Sequence, residues 1–140
     1  MLPDNIREQL HAHNDAAKRA AFVALQQAYR QARIVLHPDR ADASMGFPPR
    51  VLERYQGKHI PLNIGLGLAR PATWDTTAVL LYATLSFSGE ERYLGIPWRA
   101  IGGMHAGGDA FAWEYVGPAK VETPAEQKRG GLRVIKGGVA

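Results

Sequence analysis

The chain has no cysteine. That excludes a disulfide framework, a thiol nucleophile and any Cys-ligated metal site, and it fits a reducing cytosol. No apolar run approaches membrane-spanning length, and the first residues, MLPDNIREQL, hold no apolar signal core. A soluble, cytoplasmic protein is expected. Catalytic patterns are missing too. Ser86 and Ser88 fall in a predicted strand and turn, with no nucleophile elbow around them. Glu90-Glu91 reads as a solvated loop pair, not a catalytic dyad. His11 and His13 are two apart, which puts them on different faces of a helix. His59 and His105 find no third ligand, and His37 before Pro38-Asp39 reads as a strand-end cap. Gly65-x-Gly67 lacks the helix that a phosphate loop needs. No enzyme, no metal and no cofactor are expected.

Two further scarcities shape the chain. From Asp4 to Ala32 there is no glycine and no proline, alanine is dense and β-branched residues are few. That composition favours helix. The spacing predicts one helix over 4–32, about 40 Å long at ~1.5 Å per residue. Ile6, Leu10, Ala17, Ala21, Ala24, Leu25 and Ala28 recur at three- and four-residue steps as its apolar side. Such a helix is long for a small domain to cover, so one side is expected to pack on the rest and the other to meet a second copy. The second scarcity is basic charge in the body. The net charge is +4, but residues from Gly117 on carry five bases and two acids, whereas Met1 to Val116 carry 12 bases and 11 acids. A nucleic-acid-binding body usually has its own basic face.

After the helix the chain reads as short strands. Arg33-Ile34-Val35-Leu36 is one, and Arg40 to Gly46 is a polar loop. Phe47 to Val51, with two prolines, reads as extended edge strand. Tyr55 to Lys58 is a turn, followed by an alternating strand, Ile60 to Ile64, and an irregular link from Gly65 to Thr77. Ala78 to Phe87 and Arg92 to Ile96 form a hairpin around Ser88-Gly89-Glu90-Glu91, where glycine supplies the positive φ. Pro97 to Ala100 makes one turn, Ile101 to Ala106 a strand, Gly107-Gly108-Asp109 a turn, and Phe111 to Val116 a last alternating strand. The period-two alternation is the strand signal. Trp74, Trp98 and Trp113 are expected in the core. The expected fold is mainly β with one long N-terminal helix: about seven short strands in a small open antiparallel barrel or a pair of packed sheets. From Gly117, Gly, Pro, Lys, Glu and Gln dominate, as in a flexible linker. The expected division is a body over 1–116 (helix 4–32, β unit 33–116) and a tail over 117–140.

Two places resemble the SspB family, the adaptors that deliver substrates to the ClpXP protease. In the body, IPLNI (60–64), YATLSFSG (82–89) and LGIPWRAIGGMHA (94–106) resemble that family's blocks in order and spacing. IVLH and the proline-bearing stretch after it (34–51) resemble its opening strands. In the tail, Arg129-Gly130-Gly131-Leu132-Arg133-Val134-Ile135-Lys136 resembles the family's motif for docking on the zinc-binding N-terminal domain of ClpX. Here Leu132 follows Gly131 directly, where the family carries an Arg-Pro-containing insert, and Gly137 to Ala140 continue the chain.

The resemblance implies a body that binds a degradation tag, notably the ssrA peptide, as an extended strand. It implies a homodimer through the N-terminal helix and two tails that hold ClpX. Leu132, Val134 and Ile135 would enter apolar pockets on ClpX, with Arg133 and Lys136 adding charge contacts. The expected groove residues are Ile60, Leu62, Tyr82, Thr84, Ser86, Phe87, Met104, His105 and Ala106. The alternative is a small Sm-like barrel that binds RNA through the basic tail; the near-neutral body argues against it, as would RNA binding without steep salt dependence. No membrane partner is expected.

Overall fold

The structure, a computed structural model, describes residues 3–114. The expected linker and the 129–136 motif lie outside the described residues, as does the end of the last predicted strand. Helix α1 spans Asp4–Tyr29. It stops at Tyr29, not Ala32, because Arg30 takes the left-handed conformation (φ 58°) and donates its N–H to the Gln26 carbonyl at 2.8 Å. That cap turns the chain straight into β1, Ala32–Leu36. The Arg30 carbonyl accepts from the Gly67 N–H at 2.8 Å. A Cβ at Gly65 would lie 2.4 Å from that carbonyl oxygen, and one at Gly67 2.9 Å. The Gly65-x-Gly67 pair therefore serves a close approach of loop to helix end.

Two segments correct the sequence expectation. Pro49–Arg54 is a helix, α2, where an extended edge strand was expected. Pro48 caps it in an extended conformation and Pro49 occupies its first turn. A proline there gives up only an N–H that has no partner in any helix, and its fixed φ is already helical. Prolines exclude a helix interior, not a helix start. Within the link expected to be irregular, Trp74–Thr76 forms a strand, β3, too short for alternation to reveal.

The remaining elements lie close to expectation except the last strand, expected over Phe111 to Val116: the turn is only Gly107-Gly108, so Asp109 already pairs with Ala106, and the strand ends at Ala112. These elements are β2 (Ile60–Ile64), β4 (Leu80–Phe87), β5 (Glu90–Pro97), β6 (Ile101–Ala106) and β7 (Asp109–Ala112), with a 3-10 turn over Trp98–Ala100. β4 starts at Leu80 because the Thr77 hydroxyl accepts the Val79 and Leu80 N–H groups at 3.3 and 3.0 Å and holds a turn there. The β4–β5 turn is only Ser88 (φ 53°) and Gly89 (φ 87°), so Glu90 and Glu91 belong to the strand. Two positive φ values in a two-residue loop match the twist of the flanking strands.

Among the described residues the strands form two antiparallel sheets, ordered β2-β1-β6-β7 and β3-β4-β5, and do not close into a barrel. One apolar core draws on both sheets and the helix: Phe22 and Leu25 of α1, Ile34, Leu36, Ile64 and Met104 of the larger sheet, Leu81, Leu94 and Ile96 of the smaller. Trp98 is fully buried at its centre and donates its ring N–H to the Thr77 carbonyl at 2.9 Å. Phe22 packs edge-on to Trp74, centroids 5.2 Å apart, and against Trp98 at 6.0 Å. Trp74 and Trp113 are half-buried at the margin of the core.

The buried side of α1 differs from the apolar side expected. It is Arg7, His11, Asp15, Lys18, Phe22, Leu25 and Gln26. Ala17, Ala24 and Ala28 are exposed. The first half of the helix thus buries charge, and can do so because the charges are matched. Asp15 lies 3.2 Å from the Arg99 guanidinium, and Lys18 donates to the Trp98 carbonyl at 3.0 Å. Among the described residues, no helix is long and apolar enough to cross a membrane.

Candidate functional site

Two strand edges face each other without meeting. β2 is the edge of its sheet. β4 pairs with β5 over its whole length, but with β3 only from Leu81 to Ala83. Past that point the Thr84 N–H donates to the Thr73 carbonyl at 3.1 Å, and β4 then runs on to Phe87 with no strand on that side among the described residues. Between the two edges lie a cavity of about 520 Å³ and another of about 660 Å³, both touching Asn63, Leu85 and Ser86. They are two ends of one groove. The first is flanked by Ile60 to Asn63 and by Leu85 to Ser88, the second by Asn63 and by Thr84 to Ser86. β2 therefore runs opposite to β4 across the gap.

Backbone alternation says what these edges offer. The Thr84 N–H points away from β5, so the Thr84 carbonyl and both Ser86 groups face the groove too. On the other wall the Ala72 N–H donates to the Gly65 carbonyl at 2.9 Å, closing the groove at that end. Two and four residues back, Asn63 and Pro61 turn the same way. Pro61 fits this orientation, since a strand tolerates proline only where the missing N–H faces away from the ladder. Each wall presents backbone donors and acceptors with no ladder partner among the described residues. The floor is apolar, from Ile60, Leu62, Leu85 and Phe87.

α2 closes the far end with Arg50, Val51, Arg54 and Tyr55. It is tied to the hairpin by Arg50, which donates to the Phe87 carbonyl at 2.5 Å and to the Glu90 carboxylate at 2.6 Å. Arg92 grips the other oxygen of Glu90 at 2.6 Å. These hydrogen bonds from Arg50 and then Arg92 hold the Glu90 carboxyl below its ordinary pKa. Arg54 lies over the Tyr55 ring at 5.7 Å. At the opposite end Arg70 donates to the Ser86 hydroxyl at 3.0 Å.

The groove gathers Ile60, Leu62, Thr84, Ser86 and Phe87 of the residues expected from sequence. It does not gather the others. Tyr82 stacks on Tyr93, centroids 5.7 Å apart, and both border a separate depression. Met104 and Ala106 are buried in the core, and His105 is exposed opposite Arg33. All three sit on β6, which β1 separates from the groove. Sequence reasoning missed Arg50, Arg54, Pro61, Asn63, Arg70 and Leu85. Pro61 carried a usable signal, since a proline inside an alternating run marks an edge strand.

A second depression, about 650 Å³, lies on the outside of α1 and includes Ala12, Ala16, Ala20, Val23, Ala24 and Val79. Val79 is 57% exposed there. Among the described residues no group of three metal-ligating side chains comes together. No known protein family matches the sequence, and comparison with curated proteins gave no match.

Proposed function

We propose that the protein is a non-catalytic adaptor of the SspB type, which holds a degradation-tagged substrate as an extended peptide and tethers it to ClpXP. One observation carries the reading: two open strand edges flank an apolar-floored groove. A peptide laid between them would take up unpaired backbone groups on both walls and join the two sheets, which is β-augmentation. Because the walls run in opposite directions, it would pair antiparallel with one and parallel with the other. The five-residue edge of β2 is about 17 Å long at ~3.3 Å per residue, enough for one short strand.

In this reading the 129–136 motif docks on the ClpX zinc-binding domain. The exposed Ala12, Ala16, Ala20 and Ala24 face pairs with a second copy of α1, and small residues every fourth position allow close approach. Two tails on one dimer would raise the effective concentration of cargo beside the unfolding pore.

The test is fluorescence anisotropy of a labelled ssrA-type peptide titrated with the protein at two salt concentrations. Saturable binding that weakens only modestly as salt rises is expected, since the floor and the open strand edges are uncharged; no binding overturns the tag reading. Deleting Arg129 to Ala140 is expected to abolish ClpX docking and leave tag binding intact, and loss of both would show that the tail is no separate module. Ala20→Glu is expected to give a monomer by sedimentation with an unchanged melting transition. A wild-type monomer at concentrations of tens of micromolar would remove the assembly and its avidity.

A further inference from the structure

We infer that the groove selects extended peptides whose short apolar or small-residue core is flanked by acidic side chains. The inference rests on the peptide-groove reading above and adds the charge class of the ligand. The observation is the distribution of charge along the groove. Its apolar floor lies between Arg50 and Arg54 at the α2 end and Arg70 at the end closed by Ala72. Against these three guanidinium groups the two cavities include one carboxylate, Glu91, at the Arg70 end.

The arginines are not equally committed. Arg50 spends its contacts on Glu90 and the Phe87 carbonyl, so it shapes the end wall. Arg54 is exposed and lies over Tyr55. Arg70 is exposed and reaches Ser86 through one nitrogen at 3.0 Å, which leaves its other donors for a carboxylate. A strand in this groove therefore meets cations at both ends and apolar surface between. The planar fork of arginine suits a carboxylate held in two contacts.

Charge also argues against two other occupants. The chain's own segment from Gly117 on carries five bases and two acids, so the same arginines would repel it. A nucleic acid would leave unpaired the backbone donors and acceptors on both walls that a peptide strand matches.

The experiment uses the full chain and three labelled peptides of about eight residues, with the same Ala/Val core and acidic, neutral or basic flanks. The acid-flanked peptide is expected to bind about tenfold more tightly than the base-flanked one at low salt, with the gap narrowing as salt rises. Arg54→Glu and Arg70→Glu are each expected to shrink the gap, and together to reverse it, with melting transitions unchanged. Equal binding of all three peptides overturns the charge inference and leaves the groove reading intact. An undiminished gap in the double variant also overturns it, since the readers would lie elsewhere. If no peptide binds while a single-stranded RNA does, both the inference and the groove reading fall.

Discussion

The two halves of α1 solve the same packing problem with opposite chemistry. The second half presses Phe22 and Leu25 into the core, where Phe22 meets Trp74 and Trp98. The turns up to Lys18 bury Arg7, His11, Asp15 and Lys18 on the same side, and past them the one buried polar side chain is Gln26, which donates to the Ile64 carbonyl at 2.8 Å. Apolar burial supplies free energy without demanding one arrangement: about 2–3 kcal/mol for a side chain the size of phenylalanine. Buried charge supplies little net energy, but it costs heavily wherever a partner is missing. The pairs Asp15–Arg99 and Lys18–Trp98 link the helix to the 3-10 turn over Trp98–Ala100. The apolar half thus holds the helix on the sheets, and the charged half fixes where along the sheets it sits.

Phe22→Ala is expected to cost about 4 kcal/mol, read as a lower urea midpoint, because it leaves a cavity beside Trp74 and Trp98, which both lose their ring contact. A loss under about 1 kcal/mol would mean the second half does not carry the helix. Asp15→Asn is next. It removes the carboxylate beside Lys18 and one of the two that hold Arg99, which keeps Glu8 at 3.3 Å, and since the Arg99 side chain is 33% exposed, solvent offsets part of the loss. About 2 kcal/mol is expected by chemical denaturation. A neutral result would show that the pair orients the helix without stabilising it.

The pH dependence sharpens the same contrast. Burial, with a smaller contribution from Lys18, pushes the His37 imidazole down to about 4. The unfolded chain then binds this proton more tightly, so stability due to His37 is lost as pH falls from about 6.5 towards 4. Burial likewise pushes the Lys18 ammonium down to about 8, with Asp15 opposing the shift. By the same sign, stability from this group rises as pH climbs from about 8 to about 10.5. Denaturation of His37→Gln across the acid range and of Lys18→Met across the alkaline range should each show the corresponding limb flattened. Parallel curves for variant and wild type would remove the assigned group from the linkage. The smallest effect is expected from Arg50→Ala, under about 1 kcal/mol, since its pair with Glu90 is exposed. A larger loss would show that α2 is held mainly through the hairpin.

Local rules made much of the fold legible. The alternation of Ile60, Leu62 and Ile64 matches the burial of β2, and Ser88-Gly89 supplies the φ values its hairpin needs. The glycine- and proline-free opening became α1. Where reading failed, a local rule had two outcomes. Proline excludes a helix interior but favours its first turn, so Pro48-Pro49 fits either an edge strand or the start of α2. The groove was legible only in half. Ile60, Leu62, Thr84, Ser86 and Phe87 meet there, but Met104, His105 and Ala106 lie beyond β1, because strand order is not written in strand pattern.

The sequence by itself determined the long opening helix, the strands β2, β4, β5 and β6 and the Ser88-Gly89 turn, because those preferences arise within a few residues; it did not determine α2 or β3. Only the tertiary structure decided which face of α1 is buried and which strand edges stay open. Asp15 is tolerable inside because Arg99, 84 positions away, reaches it. Among the described residues β2 and β4 keep open edges along the groove because the link between them pairs with β2 only at its end, Gly65, and with β4 only from Leu81 to Thr84. Both outcomes depend on pairings between residues far apart in the chain, which the local pattern of hydrophobicity does not encode.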